Sequence, residues 1–296
     1  MLLFLSCQPI VQRTGNAKRN PAILLVMFGT SYIEAQTAYE NIEKIYRQTF
    51  PGIKIQIAFT SARVRCKIQE RDGISIDSPL TALARLNDDG YVNVVVQSLH
   101  MIPGEEFHDM VNIVRSIEGI DGKFGFENLA IGLPLLISRE DYHNVSSALA
   151  KQLDEFTIGK ERTPHKCPRN ADVTAVVFMG HGTEHPANSA YSQMANILAT
   201  DYKNVFLVTI EGYPTYDEIL KELKGTNIKN VRLVPFMVVA GEHALNDLTG
   251  NETDSWKSML EKAEFKVDFD LRGLGENDDI AKIFVQHTKD ALKKFH

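Results

Sequence analysis

The sequence is poor in cysteine and tryptophan and carries no excess of positive charge. Its three cysteines, Cys7, Cys66 and Cys167, show no CxxC spacing and form no even set, which argues against disulfides and against a thiolate metal site. Acidic residues outnumber basic ones by 38 to 32, giving a net charge of -6. Because no basic cluster offsets that charge, nucleic acid is not an expected partner. The single Trp256 is interpreted as interior packing.

Long hydrophobic runs are also missing, since no segment approaches the ~20 apolar residues of a membrane span. The short apolar run Leu2–Ser6, followed by Cys7, resembles the end of a bacterial lipoprotein signal, although the basic start and most of the apolar stretch are absent. Residues 1–20 are therefore interpreted as a disordered or signal and tether segment. We predict an exported lipoprotein, in the periplasm or at the outer membrane, anchored through a lipidated Cys7. The alternative is a cytoplasmic protein with an arbitrary start.

Strand and helix patterns alternate through the rest of the chain. With 296 residues, of which 44% are hydrophobic and 24% charged, the chain is long enough for two domains. The pattern predicts an α/β fold of two similar domains, each a parallel sheet flanked by helices, facing one cleft. The predicted domains are 21–156 and 172–296, joined by a linker or insertion at 157–171, with the last helix packing back on the first domain.

Three predicted strands in the second half each end in a polar or charged residue. An apolar run from Val173 stops at Gly180-His181-Gly182, the next ends at Glu211, and the strand predicted over Val231–Val239 leads to His243. The spacings of 30 and 32 residues fit one strand and one helix each. In a parallel sheet these ends share one edge, where two imidazoles and a carboxylate suit a divalent metal such as Co, Fe, Ni or Zn.

The first half repeats this pattern, which predicts a duplicated domain with a cleft between the two carboxyl edges. Its strands lead to residues expected to match those of the second half. The predicted pairs are Thr30 with His181, Thr60 with Glu211, and Glu106 with His243.

Eight motifs, in order along the chain, resemble the CbiK-type anaerobic cobaltochelatases. These belong to the class II tetrapyrrole chelatases, together with ferrochelatase and the sirohydrochlorin chelatases. The motifs are FGTSY at 28–32, RDGISIDSPL at 71–80, QSLHMIPGEEF at 97–107, GLPLL at 132–136, FMGHGTEHPA at 178–187, EGYP at 211–214, GEHALNDLTG at 241–250 and GLGEN at 273–277. The resemblance spans about residues 21–296, and only the N-terminal extension and the 157–171 insertion depart from it.

The resemblance implies an enzyme that inserts Co²⁺, or Fe²⁺ or Ni²⁺, into sirohydrochlorin, as in anaerobic cobalamin biosynthesis. It implies that His181 and His243 hold the metal, that Glu211 is the acidic ligand or proton acceptor, and that Glu106 is a second carboxylate. The catalytic set is then His181, Glu211 and Glu106. Neutral imidazoles bind the cation without adding charge, and a carboxylate offsets its charge or accepts a pyrrole proton.

Other polar residues are assigned to the substrate or to the surface. Thr30, Ser31 and Tyr32 are expected to contact macrocycle carboxylates. His100 is also placed among the substrate-binding residues, with packing in its strand and contact with a neighbouring subunit of a homo-oligomer as open alternatives. The histidines interpreted as surface residues are His108, His143 and His185.

A second function of a different class stays open at this point. An exported haem- or porphyrin-binding lipoprotein of the same fold, serving haem-iron acquisition, would need the same cleft and the same ligands. The core motifs therefore do not separate it from a chelatase, whereas a lipidated Cys7 would favour it.

Overall fold

The structure, a computed structural model, describes residues 17–156 and 174–295; the side chains of residues 155, 156 and 242–244 lie outside that description. Cys7, the predicted 157–171 linker and the side chain of His243 therefore fall outside the described part of the chain. Among the helices that are described, none is both long and apolar enough to cross a bilayer.

The first half alternates strands and helices from residue 22 to residue 156. Its strands are β1 (Ala22–Met27), β2 (Lys54–Phe59), β3 (Asn93–Ser98) and β4 (Asn128–Gly132). Its helices are α1 (Gln36–Thr49), α2 (Ala62–Asp72), α3 (Pro79–Asp88), α4 (Glu105–Glu118) and α5 (Arg139–Phe156).

The second half repeats the alternation from residue 174 onwards. Its strands are β5 (Thr174–Gly182), β6 (Val205–Glu211), β7 (Asn230–Pro235) and β8 (Lys266–Phe269). Its helices are α6 (Ser189–Asp201), α7 (Tyr216–Lys224), α8 (Glu242–Thr249), α9 (Trp256–Lys262) and α10 (Asp278–Leu292).

Each half contains one four-stranded sheet, with the order β2-β1-β3-β4 in the first and β6-β5-β7-β8 in the second. All neighbouring strands pair in parallel. All six residues of the central strand β1 are buried, which is why it appears in the sequence as a continuous apolar run rather than an alternating one. The predicted α/β fold of two parallel sheets is confirmed.

Strand β7 is shorter than predicted, because it ends at Pro235 instead of Val239. Proline has no amide hydrogen to donate to a neighbouring strand, so the ladder weakens there. The apolar residues that follow are still interior: Phe236 is fully buried, and its amide donates to the Met179 carbonyl. Because the buried residues of this loop are apolar, the loop resembles the continuation of a strand in the sequence.

The helix that ends each half packs partly on the other half. Helix α5 contacts β5 and α6 of the second half, and α10 contacts α1, β3 and β4 of the first. Buried side chains of both halves, including Leu25, Tyr46, Phe178 and Phe284, form one hydrophobic cluster. The two sheets are therefore joined by a shared core.

A buried chain of hydrogen bonds fixes α10 on the first sheet. The Thr288 hydroxyl lies 2.8 Å from the Tyr46 hydroxyl and donates to Gln97 Oε1 at 2.8 Å. The Gln97 amide in turn donates to the carbonyls of Ser98 and Leu133. The side chains of Tyr46, Gln97 and Thr288 all find partners in this chain of hydrogen bonds, so the helix docks in one register.

A second polar contact joins α10 to the start of α5. Asp141 accepts hydrogen bonds from the Ser138 amide and hydroxyl and lies 2.8 Å from His287 Nε2. His287 Nδ1 faces the Leu133 carbonyl at 3.0 Å, so both ring nitrogens face oxygen acceptors. Burial raises the pKa of the Asp141 carboxyl, but the hydrogen bonds from His287 and Ser138 outweigh it, and the net pKa is lowered. Asp141 is therefore an ionised link between the two helices.

We expect Asp141→Asn to lower the free energy of unfolding at pH 7 by about 1–3 kcal/mol, because a buried hydrogen-bonded carboxylate is lost. A group with a lowered folded-state pKa stabilises the protein above its unfolded pKa of about 3.9 and loses that effect as the pH falls through the folded value. The difference from the parent should therefore shrink in acid. Urea unfolding at pH 7 and in acid measures this difference. The control is Asp290→Asn, which removes an exposed carboxylate on α10. Equal losses for the two variants would contradict the assignment.

Candidate functional site

His181 lies at the carboxyl end of β5, between two glycines that the packing requires. A Cβ on Gly180 would lie 2.7 Å from the Tyr191 ring. Gly182 has a φ of +77°, and a Cβ there would lie 1.6 Å from the Glu211 carbonyl oxygen. The backbone is therefore pressed against its neighbours on both sides of His181, and the imidazole itself is exposed.

The hydrogen bonding of the His181 ring determines which nitrogen is free. Its Nδ1 lies 3.1 Å from the Gly182 carbonyl oxygen, which can only accept, so Nδ1 carries the hydrogen. In the neutral ring the lone pair then lies on Nε2, the arrangement in which a histidine binds a metal.

His185, four residues further on, has the opposite arrangement. Its Nδ1 accepts from the Ala187 amide at 3.1 Å, so the hydrogen of the neutral ring lies on Nε2. The ring also packs on His108, with centroids 5.3 Å apart. Both histidines are predicted to be surface residues. In the structure His185 caps the short 3₁₀ turn Pro186–Asn188 and contacts the first half, which no sequence signal indicated.

Glu211 ends β6, the strand next to β5, and its carboxylate is exposed. The register pairs it with Gly182, one residue beyond His181. Asn188 ties the two loops together: its Oδ1 accepts from the Thr183 amide at 3.1 Å and its Nδ2 donates to the Tyr213 carbonyl at 2.7 Å. His181 and Glu211 therefore lie at adjoining strand ends in loops that brace each other.

Glu106 and His243 occupy matching places in the two halves. Glu106 is the second residue of α4, which Gly104 caps, and His243 is the second residue of α8, which Gly241 caps. In both helices the capping glycine accepts the first bond, from the His108 amide at 3.0 Å and from the Leu245 amide at 3.1 Å. The predicted match of Glu106 with His243 agrees with this backbone geometry.

The two halves meet through reciprocal contacts at these edges. His108 on α4 packs against His185 in the loop after β5. Gly241, before α8, lies beside the loop after β1, because a Cβ there would be 3.6 Å from Thr30 Oγ1. Each half thus brings the start of one helix against the first loop of the other, and the two carboxyl edges face each other.

The predicted match of Thr30 with His181 is wrong by two residues, because Thr30 matches Thr183. The Tyr32 amide donates to Thr30 Oγ1 and the His185 amide donates to Thr183 Oγ1, each at 3.1 Å. The preceding glycines, Gly29 and Gly182, both have a positive φ. Phe28 is therefore the counterpart of His181. The Gly-Thr pair shared by both halves was a sequence signal for this match.

Tyrosine hydroxyls support the same alignment. The Gly29 amide donates to the Tyr39 hydroxyl at 3.1 Å, and the Tyr191 hydroxyl is hydrogen-bonded to the Gly182 backbone. Burial raises the pKa of both phenols well above the usual value, so both stay neutral.

The predicted match of Thr60 with Glu211 is also wrong, by one residue, since Met27 pairs with Phe59 and Gly180 with Thr209. Ser61 is the counterpart of Glu211.

The residues predicted to bind the substrate differ in their solvent exposure. Thr30 is 5% exposed and its hydroxyl is used in the turn, which favours a structural role. Ser31 and Tyr32 are half-buried, and the Ser31 carbonyl accepts from Arg71 at 2.5 Å.

His100 Nδ1 lies 2.8 Å from the Ser98 hydroxyl, its Nε2 is buried, and burial lowers the pKa of His100 to about 4. His100 is therefore a neutral ring packed beside β3.

The described side chains do not include the whole predicted metal set. Among them, no three histidine, cysteine, aspartate or glutamate residues are grouped as a ligand set. His181 and Glu211 lie at the edge of the second sheet with their side chains exposed, while the third predicted ligand, His243, has only its backbone described. The ligand assignment of these three residues stays a prediction.

Comparison with known proteins agrees with this architecture. The protein family described as cobalt chelatase (CbiK) matches residues 21–293. The sirohydrochlorin cobaltochelatase of Salmonella typhimurium is 36% identical over 274 residues, covering 92% of this chain and 96% of the relative. Sirohydrochlorin cobaltochelatase CbiKC of Nitratidesulfovibrio vulgaris is 34% identical over 270 residues, covering 91% and 90%.

A solved structure shows the same fold at lower sequence identity. SirB from Bacillus subtilis with Fe³⁺ superposes with a TM-score of 0.61 at 17% identity, covering 93% of this chain and 98% of that one. Two parallel sheets whose carboxyl edges face each other thus give the chain a chelatase-like fold. The chain belongs to the CbiK cobalt chelatase family and is a chelatase.

We expect Gly182→Ala to lower the free energy of unfolding by about 2–4 kcal/mol, because it adds a clash with Glu211 to the strain of a left-handed alanine. Gly52→Ala is a matched control: Gly52 also has a φ of +77°, but nothing lies within 4 Å of an added Cβ. The control should lose only the backbone strain, about 1 kcal/mol. Urea unfolding measures both, and equal losses would show that the close approach to Glu211 is unimportant.

Proposed function

We propose that the protein inserts Co²⁺ into sirohydrochlorin and releases the two pyrrole N–H protons, as a step toward cobalamin. The cobalt ion is a substrate that leaves with the macrocycle. Family membership over residues 21–293 supports the reaction class, and the names of the two relatives support the tetrapyrrole.

The observation that carries the proposal is the state of His181. Its ring is exposed at the carboxyl edge, and its Nδ1–H is bound to the Gly182 carbonyl, so a lone pair on Nε2 is available. A neutral imidazole binds a divalent cation and lets it go without a change in protein charge. His185, whose Nδ1 accepts a hydrogen bond, lacks this property.

The carboxylates have two tasks in the proposed reaction. Co²⁺ arrives as a hydrated divalent cation. The macrocycle must release its two pyrrole N–H protons when its four nitrogens bind the metal. Glu211, exposed at the end of β6, would offset the metal charge beside His181 or accept a proton. Glu106, half-buried at the start of α4 on the facing half, is the proposed second proton acceptor. His243 would complete the metal ligands.

The direct test is anaerobic incubation of the purified protein with sirohydrochlorin and Co²⁺, followed by absorbance, with Fe²⁺ and Ni²⁺ as comparison metals. The proposal expects insertion of Co²⁺ faster than the uncatalysed reaction. A parallel titration with haem tests the binding-protein alternative. Tight haem binding without metal insertion would contradict the proposed insertion of Co²⁺ into sirohydrochlorin and favour haem acquisition.

We expect His181→Ala to lower Co²⁺ insertion by at least about 100-fold, since losing even a residue that only supports a metal ligand costs up to that much. The melting temperature should not change, because the His181 ring is exposed. His143→Ala, an exposed histidine on α5, serves as the control and should keep full activity. Insertion at the parent rate by His181→Ala would refute the assignment.

Export of the protein remains a proposal that rests on Leu2–Cys7 alone. A diacylated Cys7 would hold the chain at a membrane, since two acyl chains are enough for stable anchoring. Expression with the intact N-terminus, followed by cell fractionation, should find the protein in membranes and find Cys7→Ser released. Cys66→Ser, which removes an exposed free cysteine of the folded part, should stay with the membranes. A soluble cytoplasmic protein that Cys7→Ser does not alter would reject export.

A further inference from the structure

Phe28 occupies in the first half the place that His181 occupies in the second. Phe28 directly follows the central strand β1 and His181 is the last residue but one of the central strand β5. Both precede a glycine with positive φ and a threonine that caps the same turn. Phe28 cannot bind a metal, so its half of the cleft edge must offer something else at this point.

The position next to Phe28 in the first half also differs from its counterpart in the second half, since it lacks a carboxylate. Ser61 is the counterpart of Glu211, and its hydroxyl accepts from the Val64 amide at 3.3 Å as the cap of α2. The Ser61 amide donates to the Phe28 carbonyl at 3.2 Å, so the two residues are linked as neighbours. Two of the three predicted metal-ligand positions of the second half, those of His181 and Glu211, therefore have no ligand counterpart in the first half.

The Phe28 side chain is exposed to solvent directly after the buried strand β1. It is 49% exposed, whereas Met27 before it is 1% exposed and Thr30 after it is 5% exposed. Gly29 fixes this arrangement, because a Cβ there would lie 2.4 Å from the Phe59 ring and its φ is +97°. The turn therefore directs a large apolar ring out of the core.

Other exposed apolar side chains lie on the loops at the same edges. Ile33 in the loop after β1 is 62% exposed, Leu133 in the loop after β4 is 40% exposed, and Tyr213 in the loop after β6 is 53% exposed. One exposed apolar residue is ordinary, but several at the carboxyl edges that face each other indicate an apolar ligand between them.

We infer that Phe28 is a binding residue that packs on the conjugated ring of the tetrapyrrole, so that the first half holds the macrocycle while the second half supplies the metal. The inference rests on the proposed function. A flat aromatic macrocycle offers a face that an aromatic side chain stacks on in an offset or edge-on arrangement. Phenylalanine supplies this contact without competing for the cobalt ion.

The test compares Phe28→Ala with Phe124→Ala, a phenylalanine of similar exposure, 58%, in a turn before β4. Binding of metal-free sirohydrochlorin is followed by absorbance, and the KM for Co²⁺ is measured in the insertion assay. Phe28→Ala should weaken tetrapyrrole binding about tenfold and leave the KM for Co²⁺ unchanged. Phe124→Ala should resemble the parent in both.

A second variant keeps the test decisive if Phe28→Ala folds poorly. The chain has one tryptophan, Trp256, which is 5% exposed among buried apolar residues of the second half. In a Trp256→Phe background, Phe28→Trp should emit strongly, and bound sirohydrochlorin should quench that emission.

The outcomes separate this inference from the proposed function. Unchanged sirohydrochlorin binding by Phe28→Ala, or emission from Phe28→Trp that bound ligand leaves unquenched, would overturn the role of Phe28 while the parent still inserts cobalt. A parent protein that neither binds sirohydrochlorin nor inserts cobalt would instead count against the proposed function.

Discussion

The left-handed glycine at the end of each central strand is the constraint on which the cleft edges depend. Gly29 and Gly182 each turn the chain where it touches the neighbouring strand end, and neither position has room for a Cβ. The residue before each glycine is consequently held at the edge with its side chain exposed. The same turn presents a phenylalanine in one half and a histidine in the other, so one backbone device serves two kinds of chemistry.

In the proposed reaction, this difference within a shared geometry would let a duplicated fold bind two unlike substrates. A divalent cation needs nitrogen and oxygen lone pairs, whereas a macrocycle offers a flat apolar surface. The second half carries His181 and Glu211 at its edge, and the first half carries Phe28 and Ser61 at the corresponding positions. Two identical edges would not distinguish the two ligands by side.

The shared core keeps the two edges in register. Helix α10 lies on the first sheet and α5 on the second, and the contact between Asp141 and His287 joins them where burial strengthens the interaction. His108 and His185 add a contact close to the cleft. The halves cannot separate without exposing apolar surface of the common cluster, so the distance between the edges is fixed by packing.

The sequence by itself determined the fold class, because buried parallel strands appear as apolar runs and the segments between successive strands are long enough for one or two helices. It also located His181 and Glu211 at strand ends, whereas Glu106, expected where the third strand runs out, is the second residue of helix α4. It did not determine the alignment of the two halves, which depends on glycine conformation and on the caps made by Thr30 and Thr183. Hydrogen-bond direction distinguishes His181 from His185, and only the tertiary structure decides which atom a ring nitrogen faces.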